Sequence, residues 1–224
     1  MIPWEHRDTA TVPGTGEELR LMRRGHEFSI RLGRAELMNS RLSGSEEALA
    51  TLALRRIAGR PRPNVLIGGL GMGFTLRAAL HELAADGTIT VAELVPEVVA
   101  WARGPMAELH KGSLDDPRVT IRTEDVVATI ASARSRFDAI LLDVDNGPDA
   151  MTSAGNDRLY DPAGLAAARI ALRTGGVLAV WSVAPDDRFG ARLSRAGLAT
   201  EEHRVRASRT GKGARHTIWI ATKP

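Results

Sequence analysis

The sequence contains no cysteine, which excludes a disulfide framework, a thiolate metal site and a cysteine nucleophile. Aromatic residues make up only 4% of its 224 residues, and tyrosine occurs once, at Tyr160. No apolar run approaches the roughly 18 residues of a membrane-spanning helix, and no signal-peptide pattern opens the chain. We therefore expect a globular protein of the reducing cytoplasm that has no membrane partner.

Several site motifs are also missing. The sequence has neither the GxxxxGK[ST] loop that cradles phosphates nor the GxSxG elbow of a serine nucleophile. The dinucleotide fingerprint requires a third glycine at position 74, where the chain has Phe74. The histidines lie apart on different predicted elements, so we expect no metal site.

Positive charge is present but spread along the chain. The formal net charge is +3, and lysine occurs only at Lys111, Lys212 and Lys223, so nearly all cations are arginines. From His203 onward there are six Lys or Arg and no acid, which could suggest nucleic acid. The segment 204–209 alternates basic with apolar or small residues, as a strand with one solvated face does. We therefore disfavour a nucleic-acid partner.

The chain is predicted to divide at residue 44. Residues 1–44 read as a lead-in and a β-meander, and 45–224 as a Rossmann-like cofactor-binding domain. Residues 1–17 have no periodicity and are predicted to be irregular. Three short strands separated by glycines follow, at Leu19–Arg23, Glu27–Leu32 and Ala35–Met38. Ser45 is predicted to cap a helix that runs to Ile57, with acids in its first turn.

Strand and helix patterns then alternate, which predicts an α/β fold: a seven-stranded, mostly parallel sheet with helices on both faces. The last two strands form an antiparallel pair. The predicted strands are Val65–Ile67, Thr88–Ala92, Val119–Arg122, Ala139–Leu142, Val177–Trp181, Glu202–Ala207 and His216–Thr222. The predicted helices are Thr75–Ala85, Pro96–Leu109, one from Val126, Pro162–Leu172 and Arg188–Ala196.

Closely spaced glycines follow the first strand of this sheet. Without a Cβ, they let backbone N–H groups approach a ligand. The next strand ends at Glu93, whose carboxylate can accept both hydroxyls of a ribose. The GxGxG spacing of Gly69, Gly71 and Gly73 is typical of S-adenosylmethionine enzymes, so we predict a nucleoside-cofactor site. The alternative is that Gly68 and Gly69 make a tight turn and Glu93 is a solvated strand end.

Two further strands end in acids. Asp143 and Asp145 follow a buried strand, on the ligand face of the sheet. Carboxylates there can hold an amine, and one can take the proton that an attacking ammonium loses. For both aspartates the alternative is a turn role beside Gly147. For Asp145 the functional role and the turn role are equally favoured. Asp125 can accept from an adenine amine or cap the helix at Val126.

In this order the motifs resemble those of the spermidine synthase (polyamine aminopropyltransferase) family, a branch of the class I S-adenosylmethionine-dependent methyltransferase-like fold. The resemblance covers most of the chain, from the meander to the late strands. Besides the glycine loop it rests on Thr75-Leu76-Arg77, Glu93–Val99, Asp116–Val119, Glu124-Asp125, the strand ending in Asp143, Leu159-Tyr160 and Thr174–Leu178.

The resemblance implies that the chain binds S-adenosylmethionine or its decarboxylated form and needs no metal. The implied cofactor-binding residues are Gly69, Leu70, Gly71, Gly73, Glu93, Leu94, Asp125 and Val126. Glu93 would bind the ribose, and Asp125 with Val126 would meet the adenine. Asp143 and Asp145 would be catalytic, while Met72, Asn146 and Tyr160 would bind the acceptor, a small-molecule amine or other nucleophile.

The sequence departs from the family where the acceptor would bind. Met72 aligns with an aspartate of the family's glycine loop, and Asn146 with an aspartate after the fourth strand. Leu49 and Ala50 align with the family's tyrosine and histidine on the helix after the meander. We therefore predict transfer of an aminopropyl-type alkyl group to an amine through an atypical acceptor site. The alternatives are methyl transfer to a small molecule and a non-catalytic nucleoside-binding module; a homodimer is compatible with each.

Overall fold

The computed structural model describes residues 2–144, 147, 157–208 and 213–224. Its strands are β1 (Glu5–Thr11), β2 (Glu18–Arg24), β3 (Glu27–Leu32), β4 (Ala35–Asn39), β5 (Asn64–Gly68), β6 (Thr88–Glu93), β7 (Val119–Thr123), β8 (Phe137–Leu142), β9 (Leu172–Ser182), β10 (Ala199–Arg206) and β11 (Arg215–Thr222). Its helices are α1 (Gly44–Arg56), α2 (Phe74–Glu82), α3 (Pro96–Arg103), α4 (Ala107–His110), α5 (Val126–Ser132), α6 (Asp157–Tyr160), α7 (Pro162–Ala171) and α8 (Asp187–Arg195), with a 3₁₀ turn at Ser113–Asp115.

The strands form two sheets. An antiparallel sheet has the order β1-β2-β3-β4, and a seven-stranded sheet has the order β10-β11-β9-β8-β5-β6-β7. In the larger sheet β5 to β9 run parallel, while β11 is antiparallel to both of its neighbours. The predicted α/β fold with a preceding meander is therefore confirmed. Strand order reverses between β5 and β8, the position at which such sheets bind ligands.

Each face of the seven-stranded sheet has its own apolar core, because successive side chains of a strand point to opposite faces. On β5, Val65 and Ile67 pack with residues of α1, α2 and α3, whereas Leu66 packs with α5, α7 and α8. The strands β5 and β8 are buried on both faces, which explains their nearly continuous apolar sequences.

The meander packs on the same core as the α1 face of the larger sheet. Leu21 and Ile30 of the meander belong to one buried cluster with Leu49 of α1 and Trp101 of α3. The Trp101 indole N–H also donates to Asp8 Oδ2 of β1 at 2.7 Å. The division at residue 44 stays a prediction, but the apolar contact across it is continuous.

Two sequence predictions about these elements are wrong. Residues 1–17 are not wholly irregular, because Glu5–Thr11 forms β1. Only Ala10 of that strand is buried, so it lacks the alternation that identifies a strand. The single helix predicted from Pro96 to Leu109 ends at Arg103, since Gly104-Pro105 follows and proline disfavours a helical residue before it.

Asp138 anchors the edge of the sheet opposite the strand ends that carry the predicted ligand residues. It is 2% exposed, and its carboxylate accepts from Arg60 at 2.8 Å, Arg173 at 2.7 Å and the Asn64 backbone N–H at 2.8 Å. Asp138 therefore fixes the start of β8, away from the strand ends that carry the predicted site residues. In the described part of the chain, no helix is long and apolar enough to cross a membrane.

Candidate functional site

The glycine loop after β5 lies directly against the end of β8. The Asp143 backbone N–H donates to the Gly68 carbonyl at 3.1 Å. Gly69 has φ of +88°, and a Cβ there would lie 2.5 Å from the Asp143 carbonyl oxygen. Both the backbone conformation and this close approach require glycine. The loop and Asp143 are therefore held together at the point where strand order reverses.

Glu93, at the end of β6, is tied to the same loop. Its carboxylate accepts from the backbone N–H groups of Leu70 and Val95, each at 2.9 Å, and the residue is only 8% exposed. Burial raises the pKa of Glu93 above its ordinary value, although these backbone hydrogen bonds oppose the shift. The alternative of a solvated strand end is therefore wrong. The backbone N–H groups of Gly71 and Leu94 also interact with this carboxylate, so the loop and the end of β6 surround it.

The other residues implied for the cofactor lie around this loop. Leu94 follows Glu93 and is 39% exposed, so it offers an apolar surface beside the loop. Val126 is buried at the start of α5, in close packing with Gly68. Asp125 caps α5, because its Oδ1 accepts from the Val127 N–H at 2.8 Å. Capping is one of the two roles predicted for Asp125, and adenine binding stays a prediction.

Side chains from outside the loop pack against Gly71 and Gly73. A Cβ on Gly71 would lie 2.6 Å from Met38 Cε of β4, so the meander covers the loop there. A Cβ on Gly73 would clash with Nδ1 of His110, whose pKa burial lowers to about 4. Met72 between them is 1% exposed and packs in the core that contains the meander. Its acceptor-binding role stays a prediction.

Asp143 lies close to a second acid, Glu46 of α1. The Thr75 hydroxyl donates to Asp143 Oδ2 at 2.5 Å and lies 3.4 Å from the Glu46 main-chain oxygen. Burial raises the pKa of Asp143 to about 6. Burial, and then repulsion by Asp143, raises the pKa of Glu46 to about 7. Two carboxyls that ionise near neutral pH are suited to hold a cation or exchange its proton.

The sequence reasoning missed Glu46 as a site residue. It treated the acids of this helix as first-turn residues and Ser45 as their cap. The helix instead begins at Gly44, and the Ser45 hydroxyl donates to Glu46 Oε2 at 2.6 Å and contacts His216 Nδ1 at 2.8 Å. The cap prediction is therefore wrong. The available signal was the resemblance, which assigned acceptor residues to this helix at Leu49 and Ala50, one turn farther along.

The structure does not place the other predicted acceptor residues beside Asp143. Tyr160 is 2% exposed and packs edge-on against Phe189 in the core on the other face of the sheet. Asp145 and Asn146 lie outside the described residues, so their roles stay predictions. Within residues 2–144, 147, 157–208 and 213–224, no group of three or more His, Asp or Glu could hold a metal.

The raised pKa of Glu46 predicts that stability falls as the pH rises. This pKa is about 7 in the folded chain against an ordinary value of 4.5, so the folded state binds more protons than the unfolded state between these values. This contribution to the free energy of unfolding is therefore fully present below pH 4.5 and lost by about pH 8. We expect a loss of about 3 kcal/mol.

Urea unfolding of Glu46→Gln across this pH range measures the effect. The variant should lose the part of the decline in the free energy of unfolding that Glu46 contributes, because glutamine does not ionise, while the part that Asp143 contributes remains. Glu108→Gln, an exposed position on α4, should behave as the unmodified chain. An unchanged decline in Glu46→Gln would contradict the assignment.

Comparison with known sequences identifies relatives of one kind, although no protein-family model matches the chain. Polyamine aminopropyltransferase 1 of Streptomyces coelicolor is 39% identical over 103 residues, which are 45% of this chain and 18% of that protein. Polyamine aminopropyltransferase 2 of Pseudomonas aeruginosa is 32% identical over 157 residues, which are 66% of this chain and 42% of that protein. The chain thus spans less than half the length of these curated relatives.

Solved structures share the fold. Spermidine synthase from Thermotoga maritima matches with a TM-score of 0.77 over 98% of this chain and 73% of that chain, at 19% identity. A spermidine synthase in complex with the transition-state analogue AdoDATO matches with a TM-score of 0.75 over 98% and 72% of the two chains, at 18% identity. The fold is therefore the predicted methyltransferase-like fold with an N-terminal meander. In sequence the chain is thus similar to polyamine aminopropyltransferases, and in fold it is similar to spermidine synthases.

Proposed function

We propose that this chain is a transferase that moves an aminopropyl-type alkyl group from the sulfonium of an S-adenosyl cofactor to an amine. The observation that carries the proposal is the pair Asp143 and Glu46, two carboxyls with raised pKa values beside the glycine loop. Ligands of this fold bind at that position. Acids there suit a cationic acceptor, and the curated relatives are named polyamine aminopropyltransferases.

The residues around the glycine loop fit an S-adenosyl group. Glu93 presents a carboxylate already oriented by two backbone N–H groups, and the exposed Leu94 beside it offers an apolar surface to an adenine. Gly69 lets the loop pass directly against the Asp143 carbonyl, which keeps the loop beside that strand end. When bound, the S-adenosyl sulfonium supplies an alkyl carbon already activated toward displacement.

The protein's own task is then to position and deprotonate the acceptor. An amine attacks only as the neutral nitrogen, so the ammonium must first give up a proton. Asp143 is suited to accept it, because a pKa of about 6 makes the carboxylate a base near neutral pH. Thr75 orients that carboxylate through a 2.5 Å hydrogen bond, and Glu46 adds negative charge that favours a cationic ligand.

The acceptor site is proposed to be atypical. Met72 stands where a loop acid is expected and is buried in an apolar core, so it provides no charge for a second ammonium. Asp145 and Asn146 remain proposed acceptor residues, and Tyr160 keeps that role only as the resemblance implies it, since its ring packs in the core on the other face. The acceptor amine itself, the cytoplasmic location and the homodimer stay predictions.

Calorimetry with two ligands, S-adenosylmethionine and its decarboxylated form, tests the proposed function. We expect the decarboxylated form to bind, and Glu93→Gln to weaken binding at least about tenfold. Glutamine has one acceptor oxygen where the carboxylate has two, so it cannot serve Leu70, Val95 and a ribose together. Glu108→Gln should bind as the unmodified chain does.

The outcomes separate the candidate functions. Binding of S-adenosylmethionine without its decarboxylated form would overturn aminopropyl transfer and favour methyl transfer. Binding of either form without turnover of any amine, in a panel of monoamines and diamines, would favour the non-catalytic module. Equal affinities in Glu93→Gln and the unmodified chain would remove Glu93 from the cofactor site.

A further inference from the structure

A chain of hydrogen-bonding groups leads from Glu46 to the far side of α1. The Ser45 hydroxyl donates to Glu46 Oε2 at 2.6 Å, and its oxygen lies 2.8 Å from His216 Nδ1 on β11. Ser45 is fully buried, whereas His216 is half-buried. The three groups therefore connect an acid of the candidate site to a side chain that reaches solvent.

The sequence folds so that this contact is fixed at both ends. The Gly44 N–H donates to the Ala207 carbonyl at 2.8 Å, which ties the start of α1 to the end of β10. The ring of His216 packs edge-on against Trp181, with 4.8 Å between ring centroids. Ser45 and His216 are 171 residues apart in the sequence, so the contact depends on the docking of α1 on the sheet.

The hydroxyl can be hydrogen-bonded in two ways. In one arrangement His216 Nδ1–H donates to Ser45, and Ser45 donates to an ionised Glu46. In the other, a protonated Glu46 donates to Ser45, and Ser45 donates to the unprotonated Nδ1 of His216. The two arrangements differ by a proton shift along the chain of groups, since a hydroxyl donates once and accepts twice.

We propose that Ser45 and His216 form a proton relay that returns Glu46 to its ionised form between turnovers, after Glu46 of the empty site, beside Asp143, has taken up a proton from solvent. The protonated Glu46 gives its proton to the Ser45 oxygen while the Ser45 proton passes to His216 Nδ1. His216 then releases its Nε2 proton to water, so that one proton leaves the acid and one hydronium forms in solvent. Glu46 is left ionised for the next cationic acceptor. Ser45 and His216 are positioning residues that act through Glu46.

The relay rests on the proposed function, because it serves the carboxyl pair assigned to the acceptor. Burial lowers the pKa of His216, so this side chain passes the proton on rather than storing it. Two other acids lie near Glu46: Asp143 after β8 and Glu47 on α1 itself. The ion pairs Arg55–Glu82 and Arg56–Glu201 lie toward the opposite end of α1.

Nitrogen-15 NMR of labelled histidine tests the relay without any substrate. The His216 signals, assigned by their loss in His216→Gln, should shift between tautomers as Glu46 titrates, with a midpoint near pH 7. Ser45→Ala should abolish that midpoint because the connecting hydroxyl is gone. Ser43→Ala is the matched control, since among the described residues Ser43 makes no side-chain capping hydrogen bond, and it should leave the midpoint unchanged.

A midpoint near pH 7 that persists in Ser45→Ala would overturn the relay. If Ser45→Ala does not fold, Glu46→Gln decides instead: glutamine can still accept from Ser45 but cannot titrate, so persistence of the midpoint there would overturn the relay. Turnover is a separate readout, in which Ser45→Ala should lower kcat about tenfold and leave KM unchanged. Failure to find any turnover would count against the proposed function, whereas the NMR result judges the relay alone.

Discussion

Replacement of Asp143 by asparagine is expected to lower the transfer rate roughly a hundred- to ten-thousandfold, the range typical of a lost general base. Asparagine has nearly the same shape, and its carbonyl oxygen can still accept from Thr75. The fold and cofactor affinity should therefore be retained, while the proton acceptor is lost. Steady-state rates with a decarboxylated S-adenosyl donor and an amine, beside calorimetric binding of the same donor, measure the two properties separately.

The control for Asp143→Asn is the same substitution at an exposed aspartate. Asp115 lies in the 3₁₀ turn before β7, and its side chain is 77% exposed beside Arg103. Asp115→Asn removes the same charge without touching the candidate site, so its rate should equal that of the unmodified chain. A rate in Asp143→Asn within about twofold of the control would rule out Asp143 as the base.

Replacement of Asp138 by alanine is expected to destabilise the fold by about 3 kcal/mol. Two arginines and the Asn64 N–H converge on this carboxylate, which is almost fully buried. Arg60 and Arg173 are partly exposed and can be rehydrated, which keeps the cost toward the low end for a broken buried pair. The free energy of unfolding in urea is the quantity to compare.

Asp116 provides the contrasting case. It pairs with Arg118 at 2.8 Å, but both side chains are about one quarter exposed, at 24% and 25%. An ion pair open to water typically contributes about 0–1 kcal/mol. Asp116→Ala should therefore have a much smaller effect than Asp138→Ala, and equal losses would refute the role given to the buried anchor.

The sequence predicted the larger sheet well because its strands have a strong signal. β5 and β8 are short apolar runs bounded by polar residues, and helices with apolar periodicity lie between the strands. The polar β1 could not be found in this way, since it is held by pairing with β2 and by the Trp101 contact rather than by its own apolar residues. Both are tertiary contacts that no local pattern shows.

The candidate site was predictable only in part, for the same reason. Glu93 and Asp143 were identified because each ends an apolar strand, and the fold brings such ends together. Glu46, Ser45 and His216 carry no local signal of function. Glu46 looks like an ordinary first-turn acid, and its environment depends on the packing of α1 over the ends of β8 and β11.

The glycine loop is bounded by a side chain on one side and by backbone on the other: Met38 of the meander lies against Gly71, and the Asp143 carbonyl lies against Gly69. Thioether chains are flexible and adapt to the shape of a neighbour. The Met38 side chain can move away from Gly71 by rotation about its own bonds, whereas the Asp143 backbone against Gly69 cannot move in this way. Substitutions in the meander are therefore expected to change the space beside the loop, while the seven-stranded sheet that holds Gly69 against Asp143 stays as it is.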